Sequence, residues 1–303
     1  MLSLQPMDLL PGLRVRTHAD WAAVQQAMQA GASLSPLLPL GDDAALVWIP
    51  KNGCSSLKRA WLQLRFGLMR SPSSHDDVHG VSQLHTHWLQ AEELKAVAQH
   101  RAIVAIWRDP IDRFVSACRS HLVELTTGRI VAKLQAHAGD DEQALRALLQ
   151  FHQQLFHRHG VCSFSDEADP VVVMNEVAQH LSAWIQCHLD WSHHTLPQVS
   201  FLGGDPKVYR TILGMEQIED LIAHWGQASG MALDLAPQHV SQPLEATDPW
   251  RRLRRDQLTP EALAALEQFY APDRAFLILA QQLLPVWQSA ALSFAARNAS
   301  TWS

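Results

Sequence analysis

The sequence has few cysteines and no long apolar run, and each shortage excludes a class of protein. Its four cysteines, Cys54, Cys118, Cys162 and Cys187, lie far apart and form no C-x-x-C pair. This spacing is typical of neither a disulfide framework nor a zinc site, and it suits a reducing compartment. No stretch approaches about 18 consecutive apolar residues, so we expect no integral membrane segment.

Net charge is also small for a chain of this length. The formal net charge is -6, so we expect no overall attraction to nucleic acid or to an anionic membrane surface, and any anion site must be local. The N-terminal sequence "MLSLQPMDLLPGLRVR" lacks a basic start followed by a long apolar run. We therefore expect no signal peptide and a cytoplasmic location.

Lysine is scarce, yet two of the five lysines, Lys51 and Lys58, lie in one segment, "ALVWIPKNGCSSLKRAW". An apolar run typical of a buried strand ends in Pro-Lys-Asn-Gly, and a helical pattern follows. Such a strand, Gly-containing loop and helix can bind an anion, because backbone N–H groups and the helix dipole face it. The hydroxyls of Ser55 and Ser56 add donors. The alternative is an ordinary turn with a lysine at its rim.

A similar arrangement recurs in "AIVAIWRDPIDRFVSACRS". Arg108 closes the predicted strand, Pro110 lies in the first turn of the predicted helix, and Ser116 lies two turns further on. An arginine at a strand end and a serine on the following helix can converge on one phosphate. The alternative is that Arg108 pairs with Asp109 or Asp112 and that Ser116 only packs.

Predicted strands alternate with predicted helices along the chain, which favours an α/β fold with a mainly parallel sheet flanked by helices. We predict strands at 44–49, 101–107 and 170–174, with a further candidate at 198–204. We predict loops at 35–43 and 69–80. The predicted helices are 19–31, 55–67, 91–100, 109–125, 140–159, 177–189, 217–230 and 259–284. We predict a single domain, 1–303, with an N-terminal extension at 1–43 and a weakly structured tail at 286–303.

The two quoted segments together resemble the sulfotransferases that use 3′-phosphoadenosine 5′-phosphosulfate (PAPS). "IPKNGCSSLK" is similar to their 5′-phosphosulfate loop, P-K-x-G-[CS]-[ST], and "RDPIDRFVSACRS" to their 3′-phosphate motif, R-[DE]-P-x-x-R-x-x-S. Three weaker similarities follow in family order: "HHTLPQVSFLGG", "ILGMEQIEDL" and "LTPEALAALEQFYAPDRAFL". The resemblance is strongest to carbohydrate sulfotransferases and sulfotransferase family 2-like proteins, of bacterial type, and it implies a P-loop-like sulfotransferase fold.

The resemblance implies transfer of the sulfuryl group of PAPS to a hydroxyl of a carbohydrate or another small acceptor, which leaves adenosine 3′,5′-bisphosphate. It implies a catalytic role for Lys51 and no metal, since lysine and helix N-termini supply the positive charge. The residues that it assigns to the nucleotide are Lys51, Asn52, Gly53, Cys54, Ser55 and Ser56 at the 5′ end, and Arg108 and Ser116 at the 3′-phosphate.

A general base is expected in the segment "VHGVSQLHTHWLQ", which carries His85 and His87. Uronosyl-type relatives have a similar His-x-His stretch, and one of its histidines acts as the base. An unperturbed histidine titrates near about 6.5, which suits a base at neutral pH. His87 is the first choice and His85 the second, although most of the 17 histidines must be ordinary.

Two other functions remain open, as do two interpretations of a basic run. A non-catalytic module could bind PAPS or its product without turnover, whereas a P-loop kinase would need the Walker A pattern G-x-x-x-x-G-K-[ST], which is absent. The run "RRLRR" at 251–255 is either a solvated face or a contact to the 3′-phosphate or to an acidic acceptor.

Overall fold

The computed structural model describes residues 21–40, 44–66, 75–122, 143, 168–187, 189–233 and 248–284. The chain divides into two compact units. The first unit takes Met1–Arg108, Gln198–Gln238 and Asp273–Ser303, and the second takes Asp109–Pro197 and His239–Pro272. The single domain predicted for 1–303 stays a prediction.

The first unit contains a mixed sheet of five strands. They are β1 (Ser35–Leu40), β2 (Ala44–Val47), β3 (His87–Leu89), β4 (Ala102–Trp107) and β5 (Thr211–Gly214), in the spatial order β3-β1-β2-β4-β5. β2, β4 and β5 are parallel to one another, with Val47 opposite Ala105 and Trp107 opposite Gly214. β1 is antiparallel to both β2 and β3. The carboxyl ends of β2 and β4 therefore lie side by side.

Twelve helices are described, apart from short 3-10 turns. They are α1 (Trp21–Gln29), α2 (Cys54–Phe66), α3 (His75–Leu84), α4 (Ala91–Ala98), α5 (Pro110–His121), α6 (Pro170–Gln179), α7 (Leu181–Cys187), α8 (Leu189–Thr195), α9 (Val199–Leu202), α10 (Ile218–Ser229), α11 (Pro260–Phe269) and α12 (Ala271–Leu283). In the first unit, α3 and α10 pack against α2. In the second, α8 packs against α5, and α11 against α6.

Local sequence explains several helix starts in the second unit. Asp109, Asp169 and Thr259 each precede a proline and cap a helix by accepting a hydrogen bond from a backbone N–H of its first turn. An oxygen-bearing cap followed by proline suits a helix start, because proline needs no acceptor for its nitrogen and has the helical φ. This signal also corrects one prediction: "PVVVM" at 170–174 is not a strand but the first part of α6.

Three further predictions differ from the structure. The segment 198–204 is not a strand, because α9 occupies Val199–Leu202 and ends at Gly203, whose φ is 76°. The predicted loop at 35–43 contains β1, whose leucines are buried although Pro36 and Pro39 interrupt the usual strand pattern. The predicted loop at 69–80 ends inside α3, and β5 was not predicted as a strand.

The mostly parallel core of the sheet and its flanking helices confirm the predicted α/β class. The predicted helix at 140–159 and the predicted tail at 286–303 lie outside the described residues, apart from Gln143. Among the helices that the structure describes, none is long and apolar enough to cross a membrane.

Candidate functional site

The turn between β2 and α2 is tightly wound. Lys51 and Gly53 both have a φ of 68°, and Lys51 is the one described residue other than glycine with a positive φ. For a residue with a side chain, this conformation costs on the order of 1–3 kcal/mol, and it persists only where the surrounding structure imposes it. Such residues cluster at functional sites, so the lysine that the sequence singled out is also conformationally unusual.

Gly53 is required here for two reasons. Its left-handed φ disfavours any residue with a side chain. In addition, a Cβ at this position would collide with Cδ1 of Ile218, at the start of α10, and would touch Met215. The turn therefore packs directly on the first residue of α10, and a larger residue would have to displace the terminal methyl group of Ile218.

Asn52 holds the turn to the rest of the sheet. Its side chain is fully buried, and its Nδ2 donates to the carbonyl of Ile106 at 2.8 Å and to Oε1 of Gln198 at 2.6 Å. Its backbone N–H donates to the carbonyl of Ile49. The side-chain amide nitrogen and the backbone N–H of Asn52 thus both donate within the protein, so Asn52 shapes the loop. The resemblance had assigned Asn52 to the 5′ end of the nucleotide, which stays a prediction.

Gln198 is the partner that sequence reasoning missed. Its Oε1 also accepts the backbone N–H of Arg108, and its Nε2 donates to the carbonyl of the same residue at 2.8 Å. Both carboxylate oxygens of the buried Asp273 accept backbone N–H groups, from Gln198 and Val199, at 2.9 Å each. Gln198 and Asp273 lie in two of the three weaker family-like segments, which was the available signal.

Arg108 lies directly after β4, and it reaches the lysine turn. Its Nη1 donates to the carbonyl of Lys51 at 2.7 Å. A guanidinium group has five N–H donors, and this bond uses one of them. The structure therefore brings Lys51 and Arg108, predicted from separate motifs, together at the carboxyl ends of β2 and β4.

The first turn of α2 carries the two predicted serines. The helix begins at Cys54, so Ser55 and Ser56 lie within its first turn. The first N–H groups of an α-helix lack intrahelical acceptors and carry the positive end of the dipole. This turn can therefore donate to an anion. Cys54 itself is buried as a free thiol.

Ser116 belongs to the second unit, on α5, where its carbonyl accepts a hydrogen bond from Ser120. The basic run packs along the same helix, because Nε of Arg119 donates to the carbonyl of Leu253. Nη1 of Arg255 lies 3.0 Å from a carboxylate oxygen of Asp109 and 3.4 Å from one of Asp112. One arginine of the run is thus engaged at the start of α5.

His85 lies against the distal half of α2. Its ring contacts those of Trp61 and Phe66, with centroid distances of 5.5 and 5.4 Å. These residues are about 10–18 Å along the helix axis from Cys54, at a rise of about 1.5 Å per residue. The pKa of His85 is lowered, by burial first and by Arg65 second.

His87 is buried in the edge strand β3. It pairs with Leu37, which on its other side pairs with Val47, so His87 lies two strands, about 10 Å, from the end of β2. Burial lowers the pKa of His87 to about 4, and the charges of His85 and Arg101 add to the effect. Within the described part of the chain its Nδ1 has no hydrogen-bond partner.

A third histidine, His79 on α3, lies at the start of α2. Its Nε2 is 3.0 Å from Oγ of Ser55, and its Nδ1 is 3.2 Å from Nζ of Lys58. His79 falls in the segment searched for a base, but its neighbours depend on how α3 packs against α2. Sequence periodicity did not reveal that packing, because 69–80 was interpreted as a loop.

These features define the class of the protein. A strand, a strained lysine turn and a helix N-terminus make an arrangement that can bind an anion, and the arginine that follows the adjacent parallel strand is bonded to that turn. Among the described residues, no group of three or more His, Cys, Asp or Glu side chains could hold a metal ion.

The chain belongs to the sulfotransferase family, whose family model matches residues 42–276. This match confirms the predicted family, and the sheet agrees with its P-loop-like fold. It covers both sequence motifs and extends into α12. Neither the curated proteins nor the solved structures include a significant match. The family makes the protein a transferase that acts on a hydroxyl-bearing acceptor.

We predict that Gly53→Ala lowers the free energy of unfolding by roughly 2–3 kcal/mol, because displacement of the buried Ile218 methyl group adds to the left-handed strain. Gly230→Ala is the matched control. Gly230 has a φ of 67° but nothing lies within 4 Å of an added Cβ. Its replacement by alanine should therefore lower the free energy of unfolding by only about 1 kcal/mol. Urea denaturation measures both values, and equal losses would contradict the collision with Ile218.

We also predict that His87 makes stability depend on pH. Its folded pKa of about 4 lies below the ordinary value, so its contribution is complete above about 6.5 and is lost as pH falls toward 4. Between pH 6.5 and 5, His87→Gln should therefore lose about 1–2 kcal/mol less stability than the wild type. Parallel profiles for wild type and His87→Gln would contradict the buried neutral state.

Proposed function

We propose that this protein transfers the sulfuryl group of PAPS to a hydroxyl of a carbohydrate or another small acceptor. The observation that carries the proposal is the hydrogen bond from the Arg108 guanidinium to the Lys51 carbonyl. It couples the lysine turn to the arginine of the second motif. Two such cationic groups suit a nucleotide with anionic groups at both its 5′ and 3′ positions.

The 5′ end of the nucleotide would lie over the turn and the start of α2. The left-handed Lys51 and Gly53 shape this cradle, and a Cβ on Gly53 would press on the terminal methyl group of Ile218. Ser55 and Ser56 would donate hydroxyl hydrogen bonds, together with first-turn backbone N–H groups. Asn52 would contribute by holding the loop in place.

The 3′-phosphate stays assigned to Arg108 and Ser116, as the family resemblance implies. A planar guanidinium can make two parallel hydrogen bonds to a phosphate, which a lysine cannot. Arg108 has donors besides the one used for Lys51. The basic run at 251–255 packs on the same helix as Ser116, and a contact from this run to the phosphate stays part of the proposal.

The nucleotide supplies the sulfuryl group, and the protein supplies position and charge. In-line transfer of this kind spreads negative charge over the group and its leaving oxygen. The ammonium group of Lys51 and the start of α2 would stabilise that charge as it develops. Since Lys51 and the start of α2 supply positive charge at the transferred group, the proposal includes no metal ion.

A general base would accept the acceptor's proton. His87 stays the proposed base and His85 the second choice. The lowered pKa of His87 keeps its imidazole neutral at pH 7, which is the form that can accept a proton. Its buried Nδ1 has no hydrogen-bond partner among the described residues. The carbohydrate acceptor and a cytoplasmic location remain parts of the proposal.

Calorimetric titration of the full chain tests which nucleotide the protein prefers. We expect adenosine 3′,5′-bisphosphate to bind at least about 10-fold more tightly than ATP with Mg²⁺, because one charge-assisted phosphate contact is worth about 1.5–3 kcal/mol. Adenosine 5′-monophosphate should bind more weakly than the bisphosphate. Preference for ATP would contradict the proposal and favour a kinase.

Asn52→Ala separates loop positioning from general stability. Asn175 is its matched control, because this asparagine in the second unit also donates through Nδ2 to two carbonyls, of Val171 and Gln257. Both variants should lose roughly 1–3 kcal/mol of stability, since buried acceptors lose their donors. Only Asn52→Ala should also lower the affinity for adenosine 3′,5′-bisphosphate, by about 10-fold. Equal affinities of the two variants would contradict the role of Asn52 in the site.

A further inference from the structure

Lys58 is a cation buried beside the anion site. Its side chain is fully buried, and its Nζ lies 3.3 Å from the ring centroid of Trp48 and 3.2 Å from Nδ1 of His79. A buried ammonium is costly unless an acceptor and a π face offset the lost hydration. A hydrophobic residue would fill the same place more cheaply, so stability alone does not explain a lysine here.

The imidazole of His79 connects this cation to the first turn of α2. Its Nδ1 faces Lys58, and its Nε2 lies 3.0 Å from Oγ of Ser55. Ser55 and Lys58 are three residues apart on α2, so both face α3. One histidine thus touches a buried ammonium and a hydroxyl of the candidate 5′ site.

The proton count links the three groups. An ammonium has only donors, so a charged Lys58 requires Nδ1 of His79 to accept. Neutral imidazole then carries its proton on Nε2 and donates it to Ser55. The hydroxyl oxygen of Ser55 accepts that bond, and its own proton is available to another acceptor. A neutral Lys58 permits the opposite order, in which Ser55 donates to His79.

We propose that Lys58 and His79 are positioning residues that direct the Ser55 hydroxyl proton toward the 5′ anionic group of the nucleotide. This inference rests on the proposed function, since it assumes that an anion occupies the turn. It gives Lys58 a role distinct from that of Lys51. Lys51 belongs to the turn itself, whereas Lys58 acts through two intervening side chains.

The electrostatics of the site agree with this arrangement. Burial lowers the pKa of Lys58 to about 8, and the nearby Cys54 partly opposes the shift. The ammonium therefore predominates at pH 7 and is lost as pH rises through about 8. On α10, which also packs on α2, none of the titratable residues contributes to this shift; they are Glu219, Asp220 and His224.

The first experiment compares Lys58→Met with the wild type in calorimetric titrations with three probes. Adenosine 5′-monophosphate and adenosine 3′,5′-bisphosphate carry the 5′-phosphate, whereas adenosine 3′-monophosphate lacks it. We expect Lys58→Met to lower the affinity for the two probes with a 5′-phosphate by roughly 10-fold. Its affinity for adenosine 3′-monophosphate should stay unchanged. The control is Lys95→Met, at an exposed lysine paired with Glu92, and it should change the affinity for none of the three probes.

Thermal denaturation separates this role from a structural one. Methionine removes a buried charge, so Lys58→Met should melt at or above the wild-type temperature while binding the 5′-phosphate more weakly. Lower melting with unchanged discrimination among the probes would overturn the proposal. If the wild type itself binds neither 5′-phosphate probe, the proposed function fails, and the roles of Lys58 and His79 do not come into question.

The pH profile provides an independent readout. Wild-type affinity for adenosine 5′-monophosphate should fall between pH 7 and 9.5, where the phosphate is already doubly ionised, and Lys58→Met should show no such fall. His79→Ala should weaken binding as Lys58→Met does. His79→Gln, which can still donate to Ser55, should restore part of the affinity. Two results would overturn the proposed roles of Lys58 and His79. One is identical pH profiles for wild type and Lys58→Met, and the other is an affinity of His79→Gln no higher than that of His79→Ala.

Discussion

The buried side-chain amide of Gln198 is the contact on which the site depends. It accepts from Asn52 and from the backbone of Arg108, and it donates to the Arg108 carbonyl. The Asp273 carboxylate fixes the Gln198 backbone in turn. Together with the bonds from Asn52 to Ile106 and from Arg108 to Lys51, they hold the end of β4 beside the strained turn after β2.

This network also explains how a turn with a left-handed lysine persists. Asn52 lies between Lys51 and Gly53, and its two side-chain bonds hold the centre of the turn. Packing of Gly53 on Ile218 confines the turn from the other side. The local cost of the lysine conformation is therefore met by contacts with distant segments, as is common at functional sites.

Sequence patterns predicted the parts of the site that are local in the chain. The β2 turn, Arg108 after β4 and the start of α5 follow from short motifs and from capping chemistry. Gln198, Asp273 and His79 could not be placed in this way, since their partners lie 21 or more residues away in sequence. The misassigned segments have a similar cause. The valines after Pro170 favour a strand locally, but the cap at Asp169 and packing against α11 favour a helix.

The most direct test of this account is turnover of the full chain with labelled PAPS and a mixture of hydroxyl-bearing acceptors. The account predicts label transfer to an acceptor with stoichiometric release of adenosine 3′,5′-bisphosphate, and loss of transfer in Lys51→Ala. Tight binding of the nucleotide without transfer to any acceptor would contradict it, and would indicate a binding module in place of an enzyme.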